Sequence, residues 1–373
     1  MKIKEIRIAI DDQVLGLQDS FCDNVVLYPV SWKALNREWL NKNKINILIS
    51  RSVTRINADL LRDTSVGVVG VTSSGTDHVD KNYLKSCHVP LFSAPGSNAQ
   101  AVKDYVFWLL AYLEKNKLLN GKQAGIIGVG HVGKQIEALL KMLDFSVSLN
   151  DPLRVLDEPE FISMDLKDFA DLDLICLHPS LSRQGPFPSY HLVTENFLKR
   201  LKPNTVIINA SRGGVIDSEA LLRQHYPLHY CFDVFENEPH INLDVVKECR
   251  IATPHIAGHT IESFHRASFQ VVQQIGAYWE EHYSQTIVKE KTAISNHLPK
   301  IDRRECQRWY DVILSLYDFN LKALFKPDNF YALREANRFR HDFSAAKLIL
   351  NPAFPKEDKK CLLDYGLKCH EYE

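Results

Sequence analysis

The chain has 373 residues, 45% of them hydrophobic and 24% charged, with 45 Lys and Arg against 46 Asp and Glu for a formal net charge of −1. That composition describes a folded chain of two or three domains and excludes wholesale disorder. A balance so even provides no whole-molecule field for nucleic acid or an anionic membrane, so any basic site has to be local.

The amino terminus, MKIKEIRIAIDD, alternates Ile6, Ile8 and Ile10 with Arg7 and Ala9 as a strand does, and has no signal-peptide core. Further strands are expected at 45–49, 66–71 and 89–92, separated by helix-like segments. The turn Ala94-Pro95-Gly96 then leads into an apolar helix over 99–119, whose densest run, nine residues from Tyr105, is about half a membrane span. None of the eight cysteines forms a C-x-x-C pair, so zinc-ribbon and thioredoxin readings fail on spacing. A soluble protein of the cytoplasm is the expectation.

A second βα series has strands expected at 124–130, 146–151, 172–178, 205–210, 228–235 and 250–254. Two such series predict an α/β chain with two doubly wound Rossmann-like domains. The most informative segment opens the second series. Gly128, Gly130 and Gly133 form G-x-G-x-x-G between an apolar strand and the helix pattern VGKQIEALLKML. The first glycine permits a tight turn, the second lets the backbone approach a pyrophosphate, and the third allows close helix–strand packing. The helix amino terminus offers N–H groups to the phosphates. The next strand ends at Asp151, 18 residues past Gly133, where a carboxylate can accept the ribose hydroxyls. A 2′-phosphate would be repelled there, which predicts NAD rather than NADP.

Three later strands each end in polar residues: Arg212 in NASRGGVID, Asp233, Glu236 and Glu238 in FDVFENEP, and His255 and His259 in TPHIAGH. Strand ends are where α/β ligand sites lie. Beside a nicotinamide, oxidation of a secondary alcohol needs a base for the hydroxyl proton, and His255 is the natural one. A carboxylate partner would fix its tautomer, and Arg212 would pair with a substrate carboxylate. The i, i+4 spacing of His255 and His259 suggests a metal only superficially. Ala257-Gly258 resist a helix and no third ligand is suitably spaced, so no metal is expected.

The polar stretch from Val288 reads as a linker, and about 80 residues beyond it form a small α+β domain. There Arg334, Arg338 and Arg340 cluster, the first two on one helix face. The boundaries expected are 1–97 with 265–290 for a substrate-binding lid, 98–264 for the NAD-binding domain and 291–373 for the tail.

These motifs together, with Ser74-Gly75-Thr76-Asp77-His78-Val79-Asp80 and Ala94-Pro95-Gly96-Ser97-Asn98 upstream, resemble the D-2-hydroxyacid dehydrogenase family over about residues 45–265. The resemblance implies His255 as acid/base, Glu238 as its orienting carboxylate and Arg212 as the substrate-binding arginine. For the cofactor it implies Gly128, Gly130, His131, Val132, Gly133, Asp151, Ala210, Ser211, Arg212, Asp233 and Gly258. Asp233 would touch the nicotinamide amide, leaving Glu236 a bystander. Arg51-Ser52-Val53-Thr54, the short 75–80 loop and the extra tail are similar to the branch that oxidises 4-phospho-D-erythronate at C2 in vitamin B6 (pyridoxal phosphate) synthesis. That likeness implies a tail that dimerises the enzyme and substrate contacts at Ser52, Ser73, Ser74, Gly75 and His259. Arg340, aided by Arg338 or Arg51, is expected to reach the substrate phosphate. The chain departs from the pattern at His259 (Tyr in that branch), Asp104 (usually Glu) and Pro179 (usually Thr). A 3-phosphoglycerate dehydrogenase, which shares the catalytic motifs, and an NAD-sensing corepressor on the same fold are the two other readings.

Overall fold

The computed structural model describes residues 5–17, 20–223, 227–289 and 299–370. The chain divides into two compact units, Met1–Asn98 with Ile261–Asn296, and Ala99–Thr260 with His297–Glu373. Residues 290–298 of the linker expected from Val288 lie outside the described residues.

In the first unit five parallel strands, β1 (Ile6–Asp11), β2 (Val25–Val30), β3 (Ile47–Ser50), β4 (Val68–Val71) and β5 (Leu91–Phe92), stand in the order β2-β1-β3-β4-β5. β3 and β4 are buried at every residue, which is why their sequences run apolar without alternation. Register places Ile8 beside Ile47 and Ile47 beside Val68. Those side chains form one core with Ala267, Val271, Val272 and Ile275 of the helix Ile261–Tyr283. Gly70 makes that packing possible, since a Cβ there would lie 2.6 Å from Val271. Asn36, Asn57 and Asp80 start the short helices by accepting N–H bonds from their first turns.

The second unit holds six parallel strands: β6 (Gln123–Ile127), β7 (Ser146–Asn150), β8 (Leu174–Leu177), β9 (Val206–Asn209), β10 (His229–Phe232) and β11 (Cys249–Ala252). Their order is β11-β10-β9-β8-β6-β7. The chain leaves β6 to one side for β7 and returns on the other for β8, so the strand order reverses at β6. That reversal opens a crevice at the carboxyl ends of β6 and β8.

The tail is not a separate body, contrary to the expectation for 291–373. Its parallel strands β12 (Lys300–Asp302), β13 (Lys347–Ile349) and β14 (Lys368–His370) form a small sheet of their own. Its apolar side chains, however, share a core with the helix Ala99–Lys115. Phe107 stacks on Trp309 and Tyr365 at ring separations of 5.3 and 4.2 Å, and Trp108 donates its indole N–H to the Tyr317 carbonyl at 2.7 Å. Twelve of that helix's seventeen residues are buried. A segment as short as the tail closes only a marginal core by itself, and here it shares one. No described helix is long and apolar enough to cross a membrane.

Candidate active site

The glycine loop joins β6 directly to the helix His131–Met142. Gly128 has φ +86°, and a Cβ there would come within 2.5 Å of the Pro179 nitrogen, on the other wall of the crevice. At Gly133 a Cβ would lie 2.2 Å from the Gly128 carbonyl oxygen, so the helix and turn touch backbone to backbone. Gly130 differs: a Cβ there would meet nothing within 4 Å. It is also the N-cap of the helix and supplies no capping side chain. The first-turn amides and the space above Gly130 thus form a cradle that suits a pyrophosphate. His131 is exposed and Val132 half-buried beside it.

Asp151 stands at the end of β7, where its Oδ2 accepts from Val129 N–H at 2.8 Å and its Oδ1 from Arg154 N–H at 3.2 Å. Its carboxylate is thereby tied to the glycine loop. The Arg154 guanidinium turns to Glu158 at 2.7 Å and lies over the Phe161 ring. Across the crevice, His178 has both ring nitrogens buried, with no hydrogen-bond partner among the described residues, and burial pushes its pKa down to about 3. It is a neutral imidazole at the switch point. Glycine geometry, uncapped amides and the Asp151 carboxylate all fit a dinucleotide.

Arg212, Glu238 and His255 follow β9, β10 and β11, three neighbouring strands. Asn209 shapes the first loop: its Oδ1 accepts from Ser211 N–H and Oγ–H, and its Nδ2 donates to the Arg212 carbonyl at 3.1 Å. Arg212 itself donates Nη1–H to the Ser211 carbonyl at 2.8 Å. Gly213 lets this loop press on the next, since a Cβ there would lie 1.9 Å from the Phe235 carbonyl carbon.

Glu238 and His255 meet. Glu238 Oε1 accepts from Phe235 N–H at 2.8 Å, and its Oε2 lies 2.6 Å from His255 Nδ1. Burial works against the Glu238 charge, but the His255 charge and hydrogen bond and the Phe235 N–H outweigh it and hold the carboxyl below its ordinary range. An ionised Glu238 fixes His255 with its proton on Nδ1 and its lone pair on Nε2, as proton abstraction requires. His255 also sits at φ +57°, a backbone conformation rare for non-glycine residues and found where surrounding contacts enforce it.

The enforcement comes from Asp233, expected to meet the nicotinamide amide. Asp233 is 1% exposed; its Oδ1 accepts from Thr253 Oγ1–H and Ile256 N–H, its Oδ2 from Ala257 N–H, and its carbonyl from His255 N–H at 2.7 Å. It braces the histidine loop from below. Ala210 and Ser211 line the top of β9, and Gly258 follows within the histidine loop.

One expectation meets a different placement, that of Arg340; Glu236, read as a bystander to the chemistry, bonds away from the trio, 2.8 Å from His191 Nε2 and accepting from Tyr190 Oη–H at 3.1 Å. Its partners are some 45 positions away, a separation that no local pattern encodes. Arg340, expected at the substrate phosphate, is 3% exposed and spends Nη2 on the Ala101 and Ala257 carbonyls at 2.8 and 2.6 Å. Arg338 is equally buried, with Nη1 3.3 Å from Glu335. The half-buried member of the cluster is Arg334, whose Nη2 lies 3.3 Å from His259 Nε2. Burial, and then the neighbouring Arg334 charge, hold His259 well below the ordinary histidine range, so it accepts as a neutral ring.

Ser52, Ser73, Ser74 and Gly75 belong to the first unit, just beyond the carboxyl ends of β3 and β4. Ser73 Oγ–H donates to the Gly75 carbonyl at 2.7 Å, Ser74 Oγ accepts from Gly96 N–H at 3.3 Å, and Ser52 is exposed. Arg51, in the same unit, pairs with Asp11 at 2.8 Å.

Residues 97–257 match the family described as D-isomer specific 2-hydroxyacid dehydrogenase, NAD binding domain. The chain is 37% identical over 374 residues to the erythronate-4-phosphate dehydrogenase of Coxiella burnetii (strain RSA 331 / Henzerling II), covering 97% of this chain and all of that one. It is 38% identical over 305 residues to the protein of the same name from Legionella pneumophila (strain Lens), covering 80% of this chain and 85% of that one. Among solved structures, the fold is similar to D-lactate dehydrogenase from Aquifex aeolicus complexed with NAD and lactic acid, with a TM-score of 0.59, 20% identity and coverage of 76% of this chain and 100% of that one. It is likewise similar to NAD+-bound 3-phosphoglycerate dehydrogenase from Entamoeba histolytica, with a TM-score of 0.60, 19% identity and coverage of 77% and 99%.

Proposed function

The chain belongs to the D-isomer-specific 2-hydroxyacid dehydrogenases, and from that membership we propose that it oxidises 4-phospho-D-erythronate at C2 to 2-oxo-3-hydroxy-4-phosphobutanoate, a step of pyridoxal phosphate synthesis. The observation that carries the reading is the 2.6 Å contact between His255 Nδ1 and Glu238, which makes Nε2 the basic atom of the ring. NAD, when bound, accepts the hydride from C2. His255 takes the hydroxyl proton as the C2–O bond becomes double, and Glu238 favours the imidazolium so formed. Arg212 pairs with the C1 carboxylate, whose planar geometry suits a guanidinium fork. Gly128–Gly133, with Asp151, would hold the pyrophosphate and adenosine ribose. Likeness to erythronate-4-phosphate dehydrogenases along nearly the whole chain supports this substrate over 3-phosphoglycerate.

For the substrate phosphate we favour Arg334 over Arg340, because Arg334 is the half-buried arginine and stands at His259. Replacing Arg334 with Met should raise KM about tenfold or more for the phosphorylated acid and far less for unphosphorylated D-2-hydroxyacids. Equal effects on both would overturn that assignment. A homodimer formed through the tail, in the cytoplasm, completes the reading; light scattering of the purified protein tests the dimer.

The decisive assay follows nicotinamide absorbance with 4-phosphoerythronate and 3-phosphoglycerate side by side. Turnover favouring the first supports the proposal, and preference for the second replaces the substrate. Tight NADH binding with no turnover on any 2-hydroxyacid would replace the enzyme with a sensor.

A further inference from the structure

The segment that carries His255 is gripped from two sides. Asp233 takes the amides of Ile256 and Ala257, as described above. The tail takes what those bonds leave. Arg340 Nη2 donates to the Ala257 carbonyl at 2.6 Å, so the Ala257 residue is held at its N–H by one charged side chain and at its C=O by another. Thr260 Oγ1–H donates to Asp342 Oδ1 at 2.6 Å, and both groups are buried. Arg334 meets His259 between them. Three of the five residues after His255 are thus bonded to side chains some 75 to 83 positions further along the chain.

The grip is itself anchored. The same Arg340 nitrogen bonds the Ala101 carbonyl at 2.8 Å, in the first turn of the Ala99–Lys115 helix. Asp104, one turn along, is fully buried and accepts the Phe343 N–H at 2.9 Å, and Tyr365 Oη–H bonds its other oxygen. Buried charges carry a heavy desolvation cost, so Arg340, Asp342 and Asp104 are an expensive way merely to fasten a tail that already stacks Trp309 and Tyr365 on Phe107. Directional bonds to the histidine loop are what apolar packing cannot supply.

We propose that the tail segment 334–343 is a positioning element for the catalytic histidine: Arg340, through the Ala257 carbonyl, and Asp342, through Thr260, hold the His255–Thr260 loop in its working conformation. Through Arg340 and Asp342 the tail then acts on turnover, while any effect on substrate affinity falls to Arg334. This rests on the dehydrogenase reading above. It makes Arg340 and Asp342 positioning residues, not substrate contacts.

Arg340→Lys keeps the charge but ends one bond short of the Nη2 that donates to both carbonyls. It should lower kcat about tenfold or more, with KM for 4-phosphoerythronate changed less than about threefold and NADH affinity unchanged, since small misplacements of a catalytic group are costly. Asp342→Ala, which leaves Arg340 in place and guards against a folding defect, should do the same. Asp342→Asn keeps the acceptor and should restore most of the rate. Asp342→Ala and Thr260→Val should be markedly non-additive. A readout independent of turnover is amide hydrogen exchange on the NADH-bound protein, where R340K should accelerate exchange in 251–262 selectively.

A raised KM with unchanged kcat would make Arg340 a substrate contact and overturn the proposal. Unchanged kcat and KM, or exchange that rises evenly across the second unit, would also overturn it. Should the wild-type protein turn over no 2-hydroxyacid, the dehydrogenase reading fails by itself. The exchange pattern then still decides whether the tail holds the loop.

Discussion

At Glu238 two opposing effects meet, and their balance fixes how the site answers to acid. Burial favours the neutral carboxyl, yet the bonds from His255 and the Phe235 amide favour the carboxylate and win. A carboxyl whose folded pKa is depressed stabilises the fold at neutral pH, and that contribution fades as pH falls through the unfolded value, about 4.3, toward the lower folded one. Glu238→Gln should therefore flatten the acid-side fall in Tm and, by removing the charge that steadies the imidazolium, reduce kcat about a hundredfold or more. Thermal melts across pH beside steady-state rates check both. That a carboxylate would meet His255 was legible because Asp233, Glu236 and Glu238 follow one strand and His255 its neighbour; the choice of Glu238 came from the family resemblance alone. Asp233 was legible only in part. Its place after β10 marked it as a site residue, but its use as a brace depends on the amides of a loop 23 positions later.

The glycine turn and its helix are the element whose purpose could be read most fully, since each glycine answers a separate steric demand. Gly133→Ala should disturb the element itself, because its methyl would lie 2.2 Å from a carbonyl oxygen that cannot swing aside. Both Tm and NADH affinity should fall. Gly130→Ala places its methyl in open space, so Tm should hold within about a degree while NADH binding weakens about tenfold, the change lying in the cradle rather than the fold. Differential scanning fluorimetry beside NADH fluorescence titration separates the two. The arginine-bearing element after residue 330 was the least legible. Arg334, Arg338 and Arg340 look alike in sequence as a solvated basic cluster. What sets them apart is that one lies at a half-buried imidazole and another bonds carbonyls 83 and 239 positions away. Periodicity records which face a residue occupies and says nothing of so distant a partner.

Across the whole molecule, the tail and the NAD-binding residues share one core, so they should melt as one body. Phe107→Ala removes the ring that joins them and should cost about 3–5 kcal/mol, lowering the Tm of the tail and of the cofactor half together. Two separated transitions, or tail fragments released by protease while NADH binding persists, would show a joint weaker than its packing implies. Length and composition pointed to two or three bodies and could not tell which, because the apolar helix from Ala99 is equally consistent with several partners until Trp309 and Tyr365 are seen on it. The two units also interleave along the chain, the first needing Ile261–Tyr283 and the second needing strands as late as Lys368–His370. A ribosome delivering this polypeptide from its amino end therefore completes neither core early. The sheet of the first waits for more than 260 residues, and the face of Ala99–Lys115 that carries Phe107 stays uncovered until nearly all the chain has emerged. The nascent protein spends most of its synthesis with apolar surface showing, an interval in which chaperones, rather than its own fold, have to keep it from sticking.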